Sequence, residues 1–86
     1  MEDTQINNSV RRFILAQFPI ARRRTLSDTD PLLQNGIIDS LGVLDVVGFL
    51  ESEFNVTVED QDLSPENFES INRMAAFVAR KISDRV

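Results

Sequence analysis

The sequence predicts an all-α fold: a small four-helix bundle of three main helices and one short helix, with a long loop between helices 1 and 2. Three observations predict it. The chain has 86 residues, which leaves room for one hydrophobic core. Apolar residues recur with the period of a helix in three segments, and no two segments alternate as paired strands would. We therefore expect residues 1–86 to form a single domain.

The first helix is predicted by apolar residues that share one stripe of a 3.6-residue period, namely Ile6, Val10, Phe13, Ile14 and Phe18. Pro19 disfavours helical dihedrals in the residue before it, so this helix is expected to end near Gln17. Its start is expected between Asp3 and Ser9.

Residues 19–38 show no sustained period and contain the turn signals Asp30-Pro31 and Asn35-Gly36. Scattered apolar residues are expected to anchor this loop to the core: Leu26, Leu32, Leu33, Ile37 and Ile38. Structureless connections of this length are uncommon in compact domains and are often functional. We therefore expect the loop to be functional, because it determines where the chain enters the second helix.

The second helix is predicted over Ser40–Phe54, with a buried stripe of Val43, Val46, Val47, Leu50 and Phe54. Leu41 and Leu44 fall off this stripe and are expected near its edge, where they can form a contact patch beside acidic residues.

Asn55–Val58 is too short and isolated for a sheet and is read as an extended connector. Ser64 before Pro65 predicts a capped short third helix that ends around Phe68. Ser70 is expected to cap the last helix, whose apolar stripe is Ile71, Met74, Ala75, Val78 and Ile82.

Charge is strongly segregated along the chain. Residues 28–72 contain eleven acidic side chains and no Lys or Arg, whereas all nine basic residues lie in the two flanking blocks. An acidic central face repels nucleic acid and anionic lipid and favours a partner with a basic surface. The alternative is that the acids only solvate outer helix faces, and Arg22-Arg23-Arg24 is interpreted as part of a solvated loop.

The composition excludes most catalytic chemistry. The chain has no Cys, His, Trp or Tyr, so disulfides, zinc clusters, thiol nucleophiles and imidazole acid–base catalysis are excluded. Asp28, Asp30 and Asp39 match positions 1, 3 and 12 of a calcium loop, but Leu32 and Leu33 occupy positions 5 and 6. We expect no metal site and no enzyme.

The sequence shows no signal-peptide pattern and no apolar run long enough to span a membrane, so a cytoplasmic location is expected. We also expect the protein to be a monomer.

Ser40 is the one serine whose place in the sequence is not fully explained by a structural role. It follows the long loop at the start of the second helix, where Asp39 and Ser40 would ordinarily serve only as caps. Capping alone leaves the loop unexplained.

The segment Gly36-Ile37-Ile38-Asp39-Ser40-Leu41 resembles the acyl carrier proteins, the family that includes the peptidyl and aminoacyl carrier domains of natural-product assembly lines. The spacing of the apolar residues from Val43 to Phe54 is similar to the family's second helix, and a weaker resemblance extends from Ile6 to Ile82.

The resemblance implies a carrier with phosphopantetheine attached to Ser40, on which biosynthetic intermediates travel as thioesters. Its implied partners are a phosphopantetheinyl transferase, a loading ligase or acyltransferase, and downstream synthases or tailoring enzymes. These would meet Asp39, Leu41, Leu44, Asp45, Glu51, Glu59 and Asp60.

Gly42 and Gly48 depart from the commonest fatty-acid carriers and favour a specialised polyketide, nonribosomal peptide or related pathway over fatty-acid synthesis. Two alternatives stay open. The first is an aminoacyl or peptidyl carrier loaded by an adenylating ligase. The second is a cofactor-free helical adaptor that docks through its acidic face and gives Ser40 no task.

Overall fold

A computed structural model describes residues 3–23 and 25–85, and over these residues it confirms the predicted all-α bundle. The four α-helices are α1 (Asp3–Gln17), α2 (Ser40–Phe54), α3 (Pro65–Phe68) and α4 (Ile71–Arg85). α4 packs against α1, α2 and α3, while α1 also contacts α2.

One hydrophobic core joins the three long helices with the loop. Four of the predicted loop anchors, Leu26, Leu32, Ile37 and Ile38, are buried, and the fifth, Leu33, packs half-buried against them. The remaining buried apolar side chains are Ile6, Val10, Ile14, Ala21, Val46, Leu50, Phe54, Val56, Phe68, Ile71, Met74, Ala75, Phe77 and Val78. The loop is therefore part of the core and not an appendage to it.

The loop predicted as irregular contains a short 3₁₀ helix over Pro19–Arg23, and a second one, Asp60–Asp62, follows the predicted connector Asn55–Val58. Proline fixes the backbone angle that opens such a turn, and the N–H of Ala21 donates to the carbonyl oxygen of Phe18 at 2.9 Å. These turns carry no apolar periodicity, so the sequence pattern did not predict them. Arg22 is exposed, whereas the side chain of Arg23 and all of Arg24 lie outside the described residues.

The predicted caps are confirmed. The hydroxyl oxygen of Ser64 accepts from the N–H of Glu66 at 3.3 Å, and that of Ser70 accepts from the N–H of Arg73 at 3.2 Å. Each hydroxyl satisfies a donor that the start of a helix leaves without a partner.

The long loop closes on the backbone of Leu32. The N–H of Leu32 donates to the carbonyl oxygen of Glu69 at 2.7 Å, and its own carbonyl oxygen accepts from Ile37 and Ile38 at 3.0 and 3.2 Å. The turn between them needs a left-handed residue, which Gly36 supplies with φ of 75°. This closure places Ile37 and Ile38 in the core immediately before α2 begins.

Asp28 fastens the earlier part of the loop to both terminal helices. Its carboxylate forms an ion pair with Arg11 of α1 and accepts from the side-chain amide of Asn7 at 3.0 Å. Its carbonyl oxygen accepts from the N–H of Asn72 of α4 at 2.9 Å. The hydrogen bond from Asn7 and the charge of Arg11 lower the pKa of Asp28 from its ordinary value of 3.8.

A second ion pair, between Lys81 of α4 and Asp62, joins the 3₁₀ helix before α3 to the bundle, with Nζ and Oδ2 2.6 Å apart. The hydrogen bond between the two side chains lowers the pKa of Asp62 and raises that of Lys81, because hydrogen bonding to a charged form favours that form. The N–H of Glu59, which also donates to Asp62, lowers the pKa of Asp62 further. Asn67 of α3 strengthens the attachment, since its amide donates to the carbonyl oxygen of Asp62 at 2.8 Å.

Within residues 3–23 and 25–85, no helix combines the length and the apolarity that crossing a membrane requires.

Replacing Asp28 by Asn is expected to lower the free energy of unfolding by about 1 kcal/mol at neutral pH, because it removes the partly exposed ion pair. The pKa of Asp28 is depressed in the folded state, so its stabilising effect is complete above about pH 4 and is lost as pH falls through the lowered value. Urea unfolding from neutral pH downward should therefore show the two proteins converging at low pH.

Glu53→Gln, at an exposed carboxylate near the end of α2, serves as the matched control and should leave stability within about 0.5 kcal/mol. A stability difference between the original protein and the Asp28→Asn variant that persists unchanged in strong acid would contradict a role for the Asp28 charge.

Candidate functional site at the start of α2

Ser40 is the first residue of α2 and its side chain is exposed. It stands two residues after Ile38, which is 1% exposed. The chain therefore passes from the core to the surface within one turn, and the buried isoleucines fix where the hydroxyl emerges.

Asp39 caps α2, as the sequence predicts. Its backbone is extended, and its Oδ1 accepts from the N–H of Gly42 at 2.7 Å while its carbonyl oxygen accepts from Val43 at 3.0 Å. Among the described residues the N–H groups of Ser40 and Leu41 have no acceptor. Two donors and the positive end of the helix dipole thus remain beside the Ser40 hydroxyl, an arrangement that suits a phosphate oxygen.

Gly42 allows the end of α1 to pack directly on the first turn of α2. Gly42 is buried, and a Cβ built on it would lie 2.8 Å from Cε1 of Phe18, 3.1 Å from Ile38 and 3.2 Å from Oδ1 of Asp39. Gly48, six residues further along α2, would place a Cβ in open space. The two glycines of α2 therefore differ in role, since only Gly42 is required by close packing.

Two clefts flank the first turn of α2. The α3-side cleft, about 230 Å³, is lined by Leu33, Ser40, Val43, Leu63, Ser64, Pro65 and Phe68. The α1-side cleft, about 300 Å³, is lined by Phe18, Pro19, Ile20, Gly36, Ile37, Asp39, Leu41, Gly42 and Asp45. Ser40 itself lines the α3-side cleft, and its neighbours in sequence, Asp39 and Leu41, line the α1-side cleft.

The predicted contact residues fall into two groups. Asp39, Leu41, Leu44 and Asp45 lie with Ser40 in the first two turns of α2 and are all exposed. Leu41 and Leu44 keep 75% and 60% of their surface exposed, as expected from their place off the buried stripe. This group forms one continuous surface around the hydroxyl.

The second group lies around the far end of α2. Glu51 is half-buried and its Oε2 accepts from the N–H of Val58 at 2.9 Å, so this carboxylate has a structural task in holding the connector. Glu59 and Asp60 directly follow the connector in sequence and are exposed. The N–H of Glu59 donates to Oδ2 of Asp62 at 2.9 Å. Among the described residues, no three acidic side chains converge as a metal site requires.

Sequence reasoning missed Ile20 and Leu63, which keep 51% and 43% of their surface exposed, one in each cleft. Neither belongs to a helical stripe, and both stand in or next to short turns that have no apolar period. Their only signal in the sequence is a single apolar residue beside a proline or a cap, which is too common to identify a surface.

Three of the matches to known proteins describe the family and the fold. Residues 10–78 match the family model for the phosphopantetheine attachment site. The probable acyl carrier protein PigG of Serratia sp. (strain ATCC 39006) is 34% identical over 67 residues, which span 78% of this chain and 77% of that protein. The solved structure of apo KstB-PCP, a peptidyl carrier protein, superposes with a TM-score of 0.73 at 34% identity and covers 92% of this chain and 88% of that one.

Alanine at the two glycines of α2 should have opposite effects. Gly48→Ala is expected to raise the free energy of unfolding by about 0.5–1 kcal/mol, because it gains helix propensity without a contact. Gly42→Ala is expected to lower it by about 1 kcal/mol, because the new Cβ meets Phe18, Ile38 and Asp39 together. Chemical denaturation measures both.

The double variant Phe18→Leu with Gly42→Ala tests the cause, since the smaller side chain removes the nearest contact. The double variant should lose less free energy of unfolding than the two single variants lose in sum. Strict additivity would show that Phe18 is not what excludes a side chain at position 42.

Proposed function

The chain belongs to the family of carrier proteins with a phosphopantetheine attachment site, and we propose that Ser40 is that site. It is an acyl or peptidyl carrier protein, a non-catalytic protein on which other enzymes act. The observation that carries the assignment of Ser40 is its exposed hydroxyl at the start of α2, two residues beyond the buried Ile38. We further propose that residues 1–86 act as a single carrier domain.

The surroundings of Ser40 suit esterification by another protein. Oγ of Ser40 would form a bond to the β-phosphorus of coenzyme A, its proton would pass to a base of the transferase, and adenosine 3′,5′-bisphosphate would leave with the electrons of the broken pyrophosphate bond. The free N–H groups of Ser40 and Leu41 would then face the new phosphodiester, a contribution of about 0.3–1 kcal/mol at an exposed helix end.

Phosphopantetheine supplies a flexible arm that ends in a thiol, on which cargo is held as a thioester. The protein itself contributes no acid or base to the transfer of cargo, which accords with the absence of His and Cys from the chain. Its task is to hold the attachment point rigidly and to present a recognisable surface around it.

Carrier proteins of this kind interact with phosphopantetheinyl transferases and biosynthetic enzymes. For this chain we propose that Asp39, Leu41, Leu44 and Asp45 form the principal partner surface, because they surround Ser40 and are exposed. Glu51, Glu59 and Asp60 form an outlying part of it, with Glu51 limited by its bond to Val58. Specific partners include a loading ligase or acyltransferase and downstream synthases or tailoring enzymes.

We propose acyl intermediates of a specialised pathway as the cargo, a choice supported by similarity to a probable acyl carrier protein. A second candidate, aminoacyl or peptidyl cargo loaded by an adenylating ligase, is favoured by the likeness to KstB-PCP. Intact-mass measurement of the chain isolated from its native cells distinguishes them, since the mass added beyond phosphopantetheine identifies the thioester.

Incubation with coenzyme A, Mg²⁺ and a broad-specificity phosphopantetheinyl transferase should add a single phosphopantetheine to the intact protein. Ser40→Ala should abolish the addition completely, because no other described residue combines an exposed hydroxyl with this position on a long helix. Ser64→Ala is the matched control, another serine at a helix start, and should be modified as the original is. Addition to the Ser40→Ala protein would refute the assignment, and the adaptor alternative predicts no addition at all.

Recognition should depend on charge. Asp45→Lys is expected to lower kcat/KM for the transferase about tenfold at low ionic strength, and the original protein should lose activity as salt rises, since charge mainly accelerates and orients encounter. Transferase kinetics over a salt series measure both effects. Equal kcat/KM for the two proteins at low salt would remove Asp45 from the partner surface.

A further inference from the structure

The turn Asn35-Gly36 in the long loop carries a reactive side-chain amide. Both residues are exposed, and within residues 3–23 and 25–85 the side-chain amide of Asn35 has no hydrogen-bond partner. Gly36 has no side chain that could shield its backbone nitrogen, which follows the Asn35 carboxamide directly in the chain. An asparagine in this position can cyclise through the nitrogen of the glycine that follows it.

The other five asparagines of the chain lack this combination. Four of them lie within helices, where the backbone dihedrals are fixed, namely Asn7, Asn8, Asn67 and Asn72. Asn55 is exposed in the connector, but the β-branched side chain of Val56 crowds the nitrogen that would have to attack. Asn55 is therefore the internal comparison for Asn35.

We propose that Asn35 is a site of spontaneous deamidation and that its isoaspartyl product opens the closure of the long loop on Leu32. The backbone nitrogen of Gly36 loses its proton to hydroxide and forms a bond to Cγ of Asn35. The Cγ–Nδ2 bond breaks, and Nδ2 leaves as ammonia with a proton from water. Water then adds to either carbonyl of the cyclic imide, which opens to aspartate or isoaspartate.

The folded loop restrains the first step. The N–H of Gly36 donates to the carbonyl oxygen of Leu33 at 3.2 Å, and the N–H of Asn35 donates to that of Pro31 at 3.0 Å. These hydrogen bonds fix the backbone on both sides of the carboxamide. Attack requires the N–H of Gly36 to leave its acceptor and the peptide to rotate toward Cγ, so deamidation proceeds through local opening of the loop.

The isoaspartyl product cannot rebuild the same closure. Its main chain runs through the former side chain, which adds one methylene within the turn. The hydrogen bonds that Gly36 and Ile37 donate span this point, so the added length displaces both donors. Ile38 is buried directly after the turn and leads to Ser40, so the product loosens the start of α2. The consequence for Ser40 rests on its proposed modification.

The first test ages the intact protein in mildly alkaline buffer. Peptide mapping should locate the exchange of an amide for a carboxyl group at Asn35, with Asn55 unchanged over the same period. Methylation by an isoaspartyl methyltransferase should detect isoaspartate in the aged protein. In concentrated urea, which removes the closure, deamidation should be at least about tenfold faster. Asn35→Gln should stay unmodified, because its longer side chain cyclises poorly.

Asn35→Asp is the matched control for the product, because it gains the same negative charge without the additional methylene. Purified isoaspartyl protein should exchange the amide hydrogens of Ile37 and Ile38 at least about tenfold faster than the original protein. Its kcat/KM for a broad-specificity phosphopantetheinyl transferase should be about threefold lower, since the attachment point is less rigidly held. Asn35→Asp should match the original protein in both measurements.

Each claim can fail separately. Deamidation of Asn55 before Asn35, or an aged protein without isoaspartate, would overturn the proposed site. Equal amide exchange in the isoaspartyl and Asn35→Asp proteins would overturn the effect on the closure, and equal kcat/KM would overturn the consequence for Ser40. Fresh protein that gains no phosphopantetheine would instead overturn the proposed function.

Discussion

The closure of the long loop on Leu32 is the constraint on which the rest of the site depends. The carbonyl oxygen of Leu32 accepts from both Ile37 and Ile38, and its N–H is held by Glu69 just before the last helix. Both isoleucines are thereby fixed in the core directly before α2. The exposed Ser40 that follows is anchored by buried side chains and not by contacts of its own, which leaves its hydroxyl accessible.

The first turn of α2 is crowded on its inner side and open on its outer side. Gly42 allows Phe18 within contact distance of the backbone, while Asp39 occupies the capping position and orders the turn. Leu41, Leu44 and Asp45 face solvent on the same turns. A carrier protein needs this combination, because partners must find the attachment point rigidly placed yet reach it from several directions.

Charge segregation along the chain has two consequences. Arg11 and Lys81, from the two basic blocks, pair with Asp28 and Asp62 of the acidic block and fasten the loop and the segment before α3 to the long helices. The exposed acids around Ser40, in contrast, have no basic residue near them in sequence. Part of the opposite charge therefore stabilises the fold, while the surplus of acid remains on the surface that basic partners would approach.

The sequence alone determined the four α-helices, their caps and the loop anchors, because helical periodicity, proline and serine act over a few neighbouring residues. It also singled out Ser40, since the motif around it is contiguous. The tertiary structure decided what depends on residues distant in sequence: the packing of Phe18 on Gly42, the hydrogen bond from Leu32 to Glu69, and the cleft that Ile20 and Leu41 both line. No local pattern encodes these features, because each arises only when two separate segments meet. The 3₁₀ helix at Pro19–Arg23 and the hydrogen bond from Val58 to Glu51 are more local, but they have no apolar period by which the sequence could predict them.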